Sequence, residues 1–322
     1  MRATVIAAFI VLFSALTAEA QLIASRKPDG LAVSTGNVYF TSHDAAGATV
    51  WRTSQTSVPG QESVLFWEAG ARFGDIVFAQ IGGNFFGFFF ARKNNVLTIR
   101  RVSLTGGNAT VIATITNVDI DNSHGNLATD GVNLYWQDVG AIRKVSVNGG
   151  AITLLDQTRQ NTPTAGIVLR NGRIVYASVD DIRFVPVNGA DTSPNVRTIA
   201  KALNTVTALQ EGFSGVYWGD RDGRVQVKRT GSAVRTLPGT AGGVMATSIA
   251  TNGVVTANGV QSDAQVAWTR CTSQACQLVR LRTPTTPVVV PIGNDAFGAH
   301  ISAASTVFWG DAAGVHRKGF GE

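Results

Sequence analysis

Methionine and cysteine occur twice each in the 322 residues, histidine four times, and charged side chains make up only 15% of the chain. Each shortage narrows the possibilities. No stretch of the mature chain holds a capped 3.6-residue apolar period, so helices should be nearly absent. There is no Pro/Ser-rich linker and no block of charge, so nothing divides the chain into separate domains. Two cysteines spaced CxxxxC lack the further ligands that a zinc site needs. GxSxG, HExxH and P-loop patterns are all missing, and no acyl-transfer motif accompanies the four histidines. After the first residues the most apolar stretch is Phe85–Phe90, which is long enough for a buried strand and far short of the roughly 20 residues that span a bilayer.

The N-terminus reads as an export signal. Arg2 precedes an apolar run from Val5 to Leu16, and Ala18-Glu19-Ala20 places small residues where a signal peptidase cuts. The expectation is a signal peptide over residues 1–20 and a mature chain, 21–322, that is secreted or periplasmic and has no transmembrane segment after cleavage. No cysteine stands near the cut, which argues against a lipid anchor. Loss of Arg2 and Glu19 leaves the net charge at +6.

Glycine is abundant, at 35 residues, and it punctuates a repeat. Its clearest copy is Asp130–Asp156, where three short alternating strands are separated by Val139-Gly140 and by Asn148-Gly149-Gly150. With a strand just upstream this makes a four-stranded sheet, about the 40–45 residues of a propeller blade. An apolar-aromatic pair marks the second strand of each unit: Tyr39-Phe40, Phe89-Phe90, Tyr135-Trp136, Val175-Tyr176, Tyr217-Trp218, Ala267-Trp268 and Phe308-Trp309. The second members are spaced by 50, 46, 40, 42, 50 and 41 residues. The last unit ends without a fourth strand, and Leu22-Ile23-Ala24-Ser25 resembles the fourth strands Val111–Thr114 and Arg197–Ala200. The sequence therefore predicts an all-β fold, a seven-bladed β-propeller whose N-terminal strand completes the last blade.

An aspartate often follows the aromatic pair: Asp138, Asp220 and Asp311 within YWQD, YWGD and FWGD, with Asp44 and Asp180 as looser versions. At such turns a short acceptor bonds backbone N–H groups two residues on, and turn chemistry is the plain reading. These motifs resemble the YWTD-type repeats of low-density-lipoprotein-receptor propellers, and also bacterial secreted propellers of the TolB and NHL groups. The resemblance covers nearly the whole mature chain at the level of the repeat. It departs in counting seven units where YWTD domains have six, so what it implies is a fold and not a shared ligand.

Cys271 and Cys276 bracket a hairpin between two predicted strands, and in an oxidising compartment a disulfide across it is expected. His124 is preceded by Asp121 and Asn122 in a connection entering an inner strand. Such oxygens suit a hard divalent cation, the one cofactor the sequence suggests, and a solvated surface loop is the competing reading. His300 near the start of the last inner strand could approach the axis at the level of Asn126, Thr207 and Ser248. A channel-mouth histidine with polar neighbours resembles what streptogramin-lyase-type propellers use for acid–base work, and plain core or channel packing is the competing account. Basic residues recur on the third strands, as Arg52, Arg100-Arg101, Arg143-Lys144, Arg183, Lys228-Arg229, Arg280, Arg282 and Arg317-Lys318. They read as solvated outer positions; a positive belt would instead favour an acidic polymer. The functional expectation is an exported non-catalytic binding or scaffolding propeller for a protein or glycan. Its rival is an extracytoplasmic lyase or lactone hydrolase with a cation at the channel mouth.

Overall fold

The computed structural model describes residues 20–34, 36–115, 127–138, 140–158, 165–189, 197–212, 215–239, 245–255, 261–272, 275–282, 287–293, 297–301 and 306–319. They form seven four-stranded antiparallel sheets, and no helix occurs among the described residues. In chain order the blades span residues 30–69, 72–115, 127–157, 167–201, 206–236, 245–292 and 297–319, the last completed by the strand Gln21–Ala24. The first strand of every blade packs against the first strands of its two neighbours, and the sequence of contacts returns from blade 7 to blade 1. The ring is closed.

Local sequence explains the strands. In blade 3, the predicted second and third strands appear as Asn133–Asp138 and Ala141–Ser146, with Tyr135 opposite Lys144 and Trp136 opposite Arg143. The turn that follows holds Gly149 and Gly150 at φ of 88° and 118°, which a residue with a Cβ adopts only under strain. In blade 6, Cys271 and Cys276 face each other across the hairpin of the second and third strands and are joined by a disulfide. That loop is short, so the bond adds little chain-entropy stabilisation.

Because side chains alternate between the two faces of a blade, the members of each aromatic pair serve opposite neighbours. The first packs toward the next blade and the second toward the previous one. Tyr217 thus meets Trp268, Val175 meets Trp218, Tyr135 meets Tyr176, and Phe308 meets Phe40 across the ring closure. In blade 2 the working pair is Phe88-Phe89, because Phe88 joins Trp136 while Phe89 joins Tyr39. The predicted mark Phe89-Phe90 is therefore one residue too late; a strand with five phenylalanines hides its own register. All these side chains are buried, each contributing up to about 3 kcal/mol of hydrophobic stabilisation.

The third-strand cations need a correction too. Five of them stand opposite the first member of the pair and reach the turn after the third strand of the next blade. Arg52 Nη1 donates to Leu104 O at 3.4 Å, Lys144 Nζ to Val187 O at 2.8 Å, and Arg317 Nη1 to Gln55 O at 2.9 Å. Arg280 Nη1 donates to Gly319 O, and Arg101 Nη1 approaches Asn148 Oδ1 at 3.5 Å. In two blades the cation one position earlier faces the other way: Arg100 binds Glu68 of blade 1, and Arg183, just before Phe184, lies 3.7 Å from Asp156 of blade 3. Arg280 and Lys318 are only 3% and 5% exposed, so these two are not solvated outer positions. The doublet Arg100-Arg101 thus holds both neighbours of blade 2, whereas Arg143 of the doublet Arg143-Lys144 binds Asp138 of its own blade.

Closure combines both devices. Gln21 and Leu22 pair with Arg317 and His316, Ile23 and Ala24 are fully buried, and the Arg317 guanidinium also donates from Nε to Gln21 Oε1 at 2.7 Å. We expect deletion of residues 21–24 to lower the melting temperature by on the order of 10 °C, since a fully buried Ile and a shared guanidinium are lost together. Thermal denaturation of chains 21–322 and 25–322 checks this, and equal midpoints would refute the closure.

Candidate functional site at the axis

The two ends of the ring differ. One carries the turns between first and second and between third and fourth strands; the other carries the second-to-third turns and the connections between blades. The predicted cluster Asp121, Asn122 and His124 falls within one of those connections and lies outside the described residues. His300 occupies the innermost strand of blade 7, its Cα opposite that of Phe308. Two of its expected polar companions are engaged with protein. Thr207 Oγ1 donates to Ala246 O of the next blade at 2.6 Å, and Ser248 Oγ lies 2.5 Å from Thr269 Oγ1.

The axial group that sequence reasoning missed is Asp75. It lies in the innermost strand of blade 2, Arg72–Ile81, at an irregularity between Phe73 and Ile76 where pairing with the second strand slips. The slip pushes this backbone against blade 1. A Cβ on Gly30 would stand 2.6 Å from Asp75 Cα and 2.7 Å from Gly74 O, so only glycine fits at position 30. From the same blade Thr41, which pairs with Gly30, donates its Oγ1 proton to Gly74 O at 2.7 Å. Asp75 itself is half-buried, and among the described residues its carboxyl has no hydrogen-bond or ion-pair partner. Surrounding protein displaces the water that would stabilise the anion and pushes its pKa up to about 7. A carboxyl of that kind changes charge near neutral pH, which makes it a candidate proton acceptor or cation contact. The only sequence signal was an acidic residue in mid-strand between apolar neighbours.

At the end of the ring with the connections, a cleft of about 440 Å³ opens between blades 1 and 2, lined by His43, Asp44 and Arg72. His43 Nδ1 is 2.6 Å from Asp29 Oδ2, and Asp44 Oδ1 accepts the N–H groups of Ala46 and Gly47 at 2.8 and 3.1 Å. Turn chemistry is thus the role of Asp44. It is also the role of Asp220, whose Oδ1 accepts Asp222 N and Arg224 N, both at 3.0 Å. Asp311 Oδ1 accepts Ala313 N at 2.8 Å and pairs with His316 Nε2 at 2.8 Å. Burial raises the pKa of Asp311, but the His316 bond and charge and the backbone N–H groups outweigh it and hold the carboxyl below its ordinary value. Asp138 differs: burial raises it, and the Nε of Arg143 at 2.7 Å offsets this only in part. Among the described residues no three His, Cys, Asp or Glu side chains converge as a metal site.

The fold compares closely with solved propellers. Virginiamycin B lyase from Staphylococcus aureus superposes with a TM-score of 0.68 at 12% identity, over 91% of this chain and 94% of that one. The likeness is one of fold. The WD40 propeller domain of Doa1 gives a TM-score of 0.63 at 12% identity, over 93% and 96% of the two chains. A chain of the nidogen/laminin complex gives 0.52 at 15% identity, over 76% and 88%. No protein-family model and no curated protein matches the chain by sequence.

Asp75 generates a signed pH dependence. Between about pH 4 and 7 the folded carboxyl keeps a proton that the unfolded one has lost, so stability falls as pH rises through that window. Asp75→Asn should therefore melt several degrees above the wild type at pH 8, with the gain gone by pH 4. Melting curves of both proteins across this range check it; a gain independent of pH would show that Asp75 titrates normally.

Proposed function

We propose that the chain is an exported binding or scaffolding propeller that acts without catalysis and holds a protein or glycan partner on the loops at the connection end of the ring. The observation that carries this reading is the employment of the strand polar groups in building the ring itself. Five third-strand cations hold the next blade. His316 is bonded to Asp311 and stacked on Trp309 with ring centroids 5.4 Å apart, and His43 is bonded to Asp29. A rigid frame with its strand chemistry committed internally leaves the loops as the variable surface, the usual division of labour between scaffold and binding site. Export is supported by the signal-like pattern before Gln21 and by the Cys271–Cys276 disulfide, a bond that persists in oxidising compartments.

Asp75 favours a second reading, an extracytoplasmic lyase or lactone hydrolase with a divalent cation at the channel mouth. An unpaired axial carboxyl in the same layer of inner strands as His300 is the sort of group such chemistry would use. Sharing a fold with a lyase adds only that the fold permits it.

Titration calorimetry with calcium and magnesium chloride separates the two. For the binding reading we expect no saturable heat and the same melting temperature in chelator and in cation. A one-to-one cation site that disappears in Asp75→Asn would transfer the protein to the enzyme reading. N-terminal sequencing of protein recovered outside the cytoplasm should begin at Gln21; retention of residues 1–20 in the cytoplasm would refute export.

A further inference from the structure

The seam between blades 4 and 5 is built differently from the others. At the position where five blades carry a cation opposite the first member of the aromatic pair, blade 4 carries Phe184, opposite Val175, and blade 5 carries Val227, opposite Tyr217. The seam between blades 5 and 6 has a substitute, because Arg270 Nη1 donates to Gly239 O at 2.8 Å. Between blades 4 and 5 the place of the clasp is left as a cleft of about 200 Å³, lined among others by Asn171, Arg173, Glu211, Lys228, Arg229 and Thr230.

Inside it one arginine is held in a fixed pose. Arg173 Nη2 donates to Glu211 Oε1 at 2.8 Å, and its guanidinium carbon lies 5.1 Å from the centre of the Phe184 ring. The Glu211 side chain is 4% exposed while that of Arg173 is 35% exposed. The glutamate is thus the buried support and the arginine is the part that meets solvent. Among the described residues Arg173 Nη1 has no protein partner, and neither has the exposed Arg229. Lys228 is tied by Nζ to Ser232 O of its own turn. Three cations against one carboxylate leave the cleft with a net charge of +2.

We propose that this cleft is a binding site for a small organic carboxylate, with the free edge of Arg173 and the guanidinium of Arg229 as its two donors. A guanidinium pre-oriented by a buried acid and an aromatic ring gives charge-assisted bonds to a planar anion without first having to be ordered. The volume is below the ~300 Å³ at the small end of pockets for drug-sized ligands, which suits one sugar-sized or amino-acid-sized acid. Asn171 and Thr230 at the rim add an amide and a hydroxyl that can bond the hydroxyl groups of a uronic acid. The cleft lies at the end of the ring opposite the blade-to-blade connections, so it is distinct from the loop surface proposed above and stands or falls separately.

The test uses glucuronate as probe, glucose as its neutral counterpart, and the chain 21–322. Glucuronate should raise the melting temperature saturably and titrate one site, and glucose should do neither. Arg229→Ala, an exposed change without a protein contact to lose, should keep the unliganded melting temperature and weaken glucuronate about tenfold. Arg173→Lys keeps the charge and loses the planar edge, and should weaken it similarly. Tighter binding of a short oligouronate would identify an acidic glycan as the source of the carboxylate, and equal affinity a free acid. Unchanged affinity in Arg229→Ala, equal binding of glucose, or no response to glucuronate at millimolar concentration would overturn the proposal.

Discussion

The last blade takes its fourth strand from residues 21–24, so a set of contacts distant in sequence holds that joint, with Ile23, Ala24, Phe40 and Phe308 in one buried cluster. Arg317 supplies the centre of that set. Its side chain sits on the third strand of blade 7, binds Gln21 of the closing strand through Nε, and reaches Gln55 O of blade 1 through Nη1. Three parts of the molecule distant in sequence are thereby fixed by one planar group. Four other seams repeat a simpler form of the same contact, and the closing joint uses that inter-blade clasp with a second partner added.

That repetition follows from the pleat. Successive residues on a third strand face opposite neighbours, so the adjacent cations Arg100 and Arg101 serve two different blades. In five blades the polar and apolar contacts therefore share one direction: the first member of the aromatic pair and the cation opposite it both work toward the next blade. Polar bonds to turn carbonyls then set the spacing of blades whose flat apolar faces would otherwise allow sliding. Each bond is worth only about 1 kcal/mol net, but four of the five satisfy a backbone carbonyl at the end of the next blade's third strand.

Much of this was legible in the residues. The aromatic pairs, the glycine turns and the likeness of Leu22–Ala24 to a fourth strand were enough to count seven blades and close them. Register failed in blade 2, where Phe85, Phe86, Phe88, Phe89 and Phe90 satisfy either frame and only the partners Tyr39 and Trp136 decide between them. Arg280 and Lys318 were misread as solvated because a sequence shows which face a side chain takes but not how near the next sheet stands. The motif aspartates carried the same ambiguity: Asp220 and Asp311 bind turn amides, whereas Asp138 is bound by Arg143. Asp75 showed only as an acidic residue in mid-strand, since the irregularity beside it comes from a slip in pairing and from the approach of Gly30.

Seven units of common design differ most tellingly where one departs from the rest. The cleft between blades 4 and 5 exists because Phe184 and Val227 replace the clasp, and an apolar replacement alone would have let the seam close over more hydrophobic surface. It did not close. The space is kept open by Arg173, whose guanidinium lies over the very ring that took the place of a cation and is braced by a nearly buried Glu211. Desolvating that glutamate carries a penalty that a merely structural seam could avoid, since replacing a buried pair by packed apolar groups is often neutral or stabilising. A cation braced by a nearly buried acid, with Nη1 left free among the described residues, at a seam that lacks the clasp is what shapes this place for an anion.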